Sequence, residues 1–486
     1  MSKFRLMKFG TRLLDLETTL LCGQTFTWKH FKTPHASSFV GVLGNHVLEL
    51  TTKPSSSHLI HSNSNDHFEE LKNMITSKST LSGSSDISCS AASSSVETDQ
   101  YVYYRKLFPI AKNNQSESEL STEFSEPIDE TTLYAEIEQL MDEFFHFNTY
   151  DICQLHENFA TSDPKLFGKI VKYYQGWRLL KLDPIETLFS FICSSNNNVS
   201  RITKMVQSLC EDYGTYLGEF SIDEGNTTFP MYKFPTLEQL ENSTEQALKD
   251  KNFGYRAKYI VQTIQKLKKK PENYLLTLQN KELFPTTQHV LDELKQFSGV
   301  GMKVASCIAL YCCNRFDCVP TDVHILRIAR NCYPSMKKCI QEKKTLSEKD
   351  VKLVMKEFVN IFGEYAGVAQ MILYGSQLSQ FKERIPQEVR ESIFSEAKKK
   401  RSKKEMARSD EDSSDEQDNK DHEHNDAEAL SSISSQEEVD QEPIIAPKKR
   451  KSNSIEKATE KIDDALIASQ FSLNGCYAAS TSSYIP

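Results

Sequence analysis

Lys303 ends the run Gly299-Val300-Gly301-Met302-Lys303, and Asp322 follows within Val319-Pro320-Thr321-Asp322-Val323-His324. A lysine amine attacks carbon only when unprotonated, so its ordinary pKa of about 10.4 has to be brought down by desolvation or by positive potential. The first turn of a helix supplies such potential, and packing against Cys307 one turn on adds desolvation. An amine placed this way can attack a sugar carbon. A carboxylate beside it opposes the positive charge that develops on the sugar as its C1′ bond breaks. Taken by themselves, the two residues equally describe a solvent-facing lysine at a helix start and an aspartate that caps a helix.

The elements that must position them are helices. Leu291–Phe297 reads as one helix, Ser298–Gly301 as a tight turn, and Met302–Cys312 as a second helix with Val304, Ala305, Ile308 and Ala309 on its apolar side. Two helices joined by Gly-Val-Gly form a hairpin whose backbone N–H groups, around Gly299, Val300 and Gly301, can approach a phosphate. An ordinary αα-hairpin accounts for the same residues. Pro320 disfavours helix at its predecessor, which puts Asp322 near a helix start. Lys303 and Cys307 are four apart and share a helix face, as do Gln370 and Tyr374.

The wider organisation is α+β. Residues 38–52 hold two β-rich apolar runs around Gly44-Asn45, a hairpin signal, and Tyr101-Val102-Tyr103-Tyr104 resumes strand-like composition. Between them, 53–100 is Ser-rich and too poor in apolar residues to order itself. We expect residues 1–132 to form a β-rich domain interrupted by that disordered insertion. Residues 133–385 should form a mostly helical body, with its helix-hairpin-helix at about 289–313; Leu188, Phe191 and Ile192 and then Ile202, Met205, Val206 and Leu209 recur at helical spacing. Residues 386–486 form a charged tail, expected to be disordered, with basic clusters at 398–404 and 447–451 of the kind that read as nuclear import signals or nucleic-acid patches.

The chain has 486 residues and a formal net charge of -9. That sign opposes nucleic-acid binding until its distribution is counted. Residues 386–486 carry 15 Lys+Arg against 22 Asp+Glu, so -7 of the -9 lies in the tail, whereas 131–385 carry 31 against 30. No stretch approaches the roughly 20 consecutive apolar residues of a membrane helix. The 12 cysteines show no regular spacing and the N-terminus shows no secretory run, which points to a reducing, cytosolic or nuclear compartment.

Six motifs together resemble the eukaryotic 8-oxoguanine DNA glycosylase/lyase family of the helix-hairpin-helix glycosylase superfamily. They are Cys22-Gly23-Gln24-Thr25-Phe26-Thr27-Trp28, Asp183-Pro184-Ile185-Glu186, the run from Phe189 to Asn198, Gly254-Tyr255-Arg256-Ala257-Lys258-Tyr259, the hairpin through Cys307, and Val319–His324. The resemblance runs from about Leu13 to Leu378, outside the insertion and the tail. It implies excision of 8-oxoguanine opposite cytosine from duplex DNA, with Lys303 attacking C1′ to form a Schiff base, β-elimination following, and Asp322 assisting. It further implies that the Gly23 carbonyl reads the N7 hydrogen of the lesion, that Cys307 and Tyr374 flank the flipped base, and that Gln370 meets its Watson–Crick edge. Asn196, Arg201, Tyr255 and Arg256 would fill the vacated space and hold the orphaned cytosine, and His324 would contact a phosphate.

Ser298 stands where the family usually has proline, and Tyr374 where phenylalanine is more usual. Met302 and Ser306 are further local variants. Cys332 and Cys339 imitate the first spacing of the iron–sulfur motif found in some superfamily members, but no Cys-x-x-Cys follows, so no cluster, metal or organic cofactor is expected. The expected partner is damaged double-stranded DNA, bound by a monomer, with a nuclear location and room for a mitochondrial pool. Two readings compete: a same-superfamily enzyme with another lesion preference, and a non-catalytic helix-hairpin-helix DNA-binding protein, against which the presence of both Lys303 and Asp322 counts.

Overall fold

The computed structural model describes residues 4–7, 13–32, 37–52, 102–110, 129–223, 227–340 and 347–393. The Ser-rich stretch 53–100 and the tail beyond 393, with both basic clusters, lie outside the described residues, as does the expectation that they are disordered.

Strands β1 (Arg5–Met7), β2 (Lys29–Lys32), β3 (Ser37–Leu43), β4 (His46–Thr51) and β5 (Val102–Leu107) form one antiparallel sheet in the order β1-β5-β4-β3-β2. The Gly44-Asn45 turn joins β3 to β4 in the expected hairpin, with Leu43 opposite His46. Alternation then sorts the side chains. Phe39, Leu48, Leu50 and Tyr104 enter the main core, whereas Val40, Val47 and Leu107 face a second, smaller one. That second face also holds the cross-strand pair Glu49 and Arg105, fully buried and 2.7 Å apart.

The helices that build the body and the site are α1 (Leu16–Leu21), α2 (Glu130–Phe144), α3 (Ile152–Ser162), α4 (Pro184–Cys193), α5 (Val199–Tyr213), α6 (Arg256–Leu267), α7 (Thr287–Leu294), α8 (Met302–Cys312), α9 (Val323–Cys332), α10 (Glu348–Phe362) and α11 (Ala366–Gly375). Side-chain caps mark many of their starts. Asp183 accepts from the N–H groups of Ile185 and Glu186 ahead of Pro184, the residue that best tolerates the first helical position. The apolar face of each helix joins a core that runs without interruption from Phe39 and Leu48 of the sheet to Phe189, Ile308 and Ile372 of the body.

Two features depart from the sequence-based expectation. Residues 215–233, inside the helical body, form a β-hairpin of β6 (Thr215–Ser221) and β7 (Thr228–Lys233). Phe229 and Met231 alternate with Pro230 and pack with Phe220 against Val40, Val47 and Leu107, so the hairpin covers the second face of the sheet. Pro230 is tolerated because β7 pairs on one side only. The first helix of the helix-hairpin-helix occupies Thr287–Leu294 rather than Leu291–Phe297. Thr286 caps it through the N–H of His289, and the chain has already left the helix at Lys295 to enter the turn.

Candidate active site

The hairpin turn is held from one side by α6. Thr263 Oγ1 donates to the Ser298 carbonyl at 3.1 Å and Lys266 Nζ to the Gln296 carbonyl at 2.9 Å. Gly299 has φ +79°, and a Cβ there would come within 2.7 Å of the Tyr259 ring. Both the backbone and the space therefore demand glycine. Val300 is buried, while Gly301 is exposed and a Cβ there would meet nothing within 4 Å. No side chain caps α8. Its first N–H groups thus have no side-chain acceptor, next to the open space at Gly301, the arrangement that suits an anion.

Lys303 lies in the first turn of α8 and is partly buried. Its Nζ is 3.5 Å from Ser194 Oγ and 5.1 Å from the centre of the Phe191 ring, both contributed by the end of α4. One turn further along α8, burial pushes the Cys307 thiol up, the charge of Lys303 opposes that shift and the carboxylate of Asp322 adds to it. Another turn brings Tyr311, which stacks on Phe191 with ring centres 5.4 Å apart. Asp322 caps α9, and its Oδ1 accepts from the N–H groups of His324 (3.0 Å) and Ile325 (2.9 Å). Among the described residues nothing hydrogen-bonds to its Oδ2. The amine, the thiol and the carboxylate therefore share one electrostatic environment, although Asp322 reaches it from a different helix.

The remaining wall comes from α11 and from the loop after α1. Tyr374 is raised well above its ordinary pKa by burial, then by Asp322, Cys22 and Cys307. Its ring meets the edge of His324 at 5.6 Å. Gln370, one turn before it, is buried, and its Oε1 has no hydrogen-bond partner among the described residues. The same holds for His324 Nδ1. Gly23 has φ +87°, lies beside Val199 and offers a carbonyl that accepts no hydrogen bond among the described residues. Its neighbour Gln24 is fixed by three backbone groups, donating to Thr19 O (3.2 Å) and Arg178 O (2.9 Å) and accepting from Leu180 N (3.0 Å).

The residues expected to meet the opposite strand gather around the α4–α5 loop. Asn196 is exposed with φ 47°, a left-handed conformation that asparagine tolerates. Arg201 is exposed and donates to Asn252 O at 3.2 Å. Tyr255 is half exposed, and its hydroxyl donates to Ser195 O at 2.9 Å. Arg256 differs from these. It is 2% exposed, stacks under the Tyr255 ring, and donates to the carbonyls of Ser195 (from Nε at 3.1 Å) and Asn196 (2.8 Å). Its Nε and Nη2 are thus committed to the loop.

Neither Ser194 nor Tyr311 has a site role on sequence grounds, and Phe191 reads there only as a core position of α4. Tyr311 was within reach, since it continues the four-residue spacing from Lys303 through Cys307. Ser194 offered no signal of its own, being one serine in a run that reads as a helix end. Among the described residues no group of three or more His, Cys, Asp or Glu is arranged to hold a metal ion, and no helix is long and apolar enough to cross a membrane.

Residues 7–188 match the family described as 8-oxoguanine DNA glycosylase, N-terminal domain, and residues 189–356 match the HhH-GPD superfamily of base excision DNA repair proteins. The join falls inside α4, and Gln370 and Tyr374 lie beyond both matches. Over 231 residues the chain is 37% identical to the N-glycosylase/DNA lyase OGG1 of Arabidopsis thaliana, covering 47% of this chain and 59% of that protein. Over 242 residues it is 36% identical to an N-glycosylase/DNA lyase of Saccharomyces cerevisiae, covering 46% and 62%. The chain thus spans about three fifths of the length of these relatives. In fold it is similar to the apo 8-oxoguanine glycosylase/lyase of Clostridium acetobutylicum, with a TM-score of 0.50 at 20% identity over 77% of this chain and 96% of that one.

Proposed function

Because the chain belongs to the 8-oxoguanine DNA glycosylase family within the HhH-GPD superfamily of base excision DNA repair proteins, we propose that it excises 8-oxoguanine opposite cytosine from duplex DNA and then nicks the strand. The observation that carries this reading is the position of Lys303. Its amine lies behind an uncapped helix N-terminus that suits a phosphate, against Phe191 and Ser194, one turn from Cys307 and in the same environment as Asp322.

In this reading the Lys303 amine forms a bond to C1′ as the glycosidic bond breaks, with the electron pair leaving on the base. Asp322 stabilises the positive charge on the sugar through the oxygen that does not cap α9. Loss of the proton on nitrogen and opening of the sugar ring give a Schiff base. Removal of a C2′ proton then expels the 3′ phosphate by β-elimination. The flipped base would lie between Cys307 and Tyr374 with its Watson–Crick edge at Gln370, whose unpaired Oε1 supports that role. The Gly23 carbonyl would accept the N7 hydrogen of the lesion, and guanine, which presents a lone pair there, would leave that acceptor unpaired at a cost of about 1–3 kcal/mol.

On the opposite strand, Asn196, Tyr255 and the exposed Arg201 are placed to enter the vacated space. Arg256 would meet a cytosine through Nη1, since its Nε and Nη2 hold Ser195 and Asn196. His324 would contact a phosphate with one face while its other supports Tyr374. The protein would act as a monomer on damaged duplex DNA, in the nucleus and with room for a mitochondrial pool. The nuclear assignment rests on the tail clusters, and deleting residues 386–486 should lower nuclear accumulation while excision persists; equal nuclear levels would remove it.

The decisive experiment incubates the full chain with an 8-oxoguanine·cytosine duplex in the presence of borohydride. The wild type should yield a covalent adduct. Lys303→Gln should yield none and should lose excision by roughly three orders of magnitude or more. An adduct that survives in Lys303→Gln would remove Lys303 as the nucleophile.

A further inference from the structure

The geometry points to Ser194 as a positioning residue for the Lys303 amine, one that aims its lone pair by accepting one of its N–H bonds. This inference rests on the proposed role of Lys303 as the nucleophile. Ser194 Oγ lies 3.5 Å from Lys303 Nζ and 2.7 Å from the Phe191 carbonyl, to which it donates. A hydroxyl has one hydrogen to give. With that hydrogen committed to Phe191 O, the oxygen can only accept from lysine.

Direction is what a lysine needs here. Its four-carbon stem leaves the amine free to swing, and an amine that attacks carbon must present its lone pair along one line. With one N–H held by Ser194 Oγ and the Phe191 face on one side, the lone pair is confined to the side away from α4. The 3.5 Å separation is long for a hydrogen bond, as catalytic contacts often are before substrate arrives.

Ser194 is itself held firmly. Its N–H and its hydroxyl both donate to Phe191 O. The next carbonyl, Ser195 O, accepts from Tyr255 Oη and from the Arg256 guanidinium, and Asn197 Nδ2 donates to Cys193 O at 3.0 Å. The end of α4 is thus clamped by side chains that belong to the opposite-strand loop and α6. A small hydroxyl with no freedom to turn is the part of this clamp that touches the amine.

The test compares wild type, Ser194→Ala and Ser194→Thr in the full chain, measuring single-turnover excision, dissociation constants for the lesion duplex, and borohydride trapping on a preformed abasic site. The abasic substrate removes base recognition from the readout. Ser194→Ala should slow both excision and trapping by about 10- to 100-fold, with less than a twofold change in dissociation constant. Ser194→Thr, which keeps the hydroxyl, should restore most of both rates. Wild-type rates in Ser194→Ala, a slowing confined to the lesion substrate, weakened DNA binding in parallel with rate, or failure of Ser194→Thr to rescue would each overturn the assignment. Absence of any adduct with the wild type would instead overturn the nucleophile itself, so the two failures are distinguishable.

Discussion

Two buried glutamines sit in the wall built by α11 and the loop after α1 and are treated in opposite ways. Gln24, beside Gly23, spends its whole amide on the backbone groups of Thr19, Arg178 and Leu180. Gln370, on α11, is buried as well but leaves its Oε1 without a partner among the described residues. A buried acceptor without a partner costs about 1–3 kcal/mol, a cost that selection for stability alone would remove. Gln24 is therefore scaffold, fixing the loop that carries the Gly23 carbonyl. In the proposed function, Gln370 would hold a hydrogen-bonding group in reserve for the flipped base. Burial and residue type are shared, so only the partner list separates the two roles.

The comparison can be broken by exchanging costs. Gln24→Leu strands the Arg178 carbonyl and the Leu180 N–H and leaves Thr19 O only the Cys22 thiol, and chemical denaturation should show a loss of about 3–5 kcal/mol. A loss below 1 kcal/mol would mean that Gln24 is not the tie that its geometry describes. Gln370→Leu removes an unpaired group and keeps the volume. Its unfolding midpoint should stay level or rise, while single-turnover excision falls about 10- to 100-fold. A variant that is both less stable and fully active would reverse the assignment of Gln370.

A smaller effect sharpens the account of the Gly23 loop. Glu186 on α4 accepts from Thr27 Oγ1 at 3.0 Å and from Thr25 Oγ1 at 3.5 Å, tying the far side of that loop to α4. Burial, and then the charge of Asp183, push its carboxyl up to about 7. The folded state therefore favours the neutral acid. Its contribution is fully present below the unfolded value of about 4.5 and is lost as pH rises through about 7. Glu186→Gln, which mimics the neutral form, should gain on the wild type by about 1 kcal/mol between pH 5 and pH 8. A difference that does not change with pH would show that the carboxyl titrates normally.

Much of the fold was legible because its determinants are local. The Gly44-Asn45 turn between alternating runs specified the β3–β4 hairpin, helical spacing specified α4 and α5, and Asp322 after Pro320 announced the start of α9. The β6–β7 hairpin was missed because its reason for being extended, the open second face of the sheet, is not near it in the chain.

Within the site, the sequence by itself determined the face shared by Lys303 and Cys307 and the one shared by Gln370 and Tyr374, because four residues make about one helical turn. It also determined that Gly299 could support the hairpin turn. Only the tertiary structure decided that Ser194, 109 residues away, would touch the lysine amine. It alone decided that Asp322 would join the environment of Cys307, and that Arg256 would be buried under its own loop while Arg201 stayed exposed. Periodicity and capping are short-range and survive in the one-dimensional pattern. Which unpaired groups end up facing one another is set by how the helices pack, and packing depends on the whole core at once.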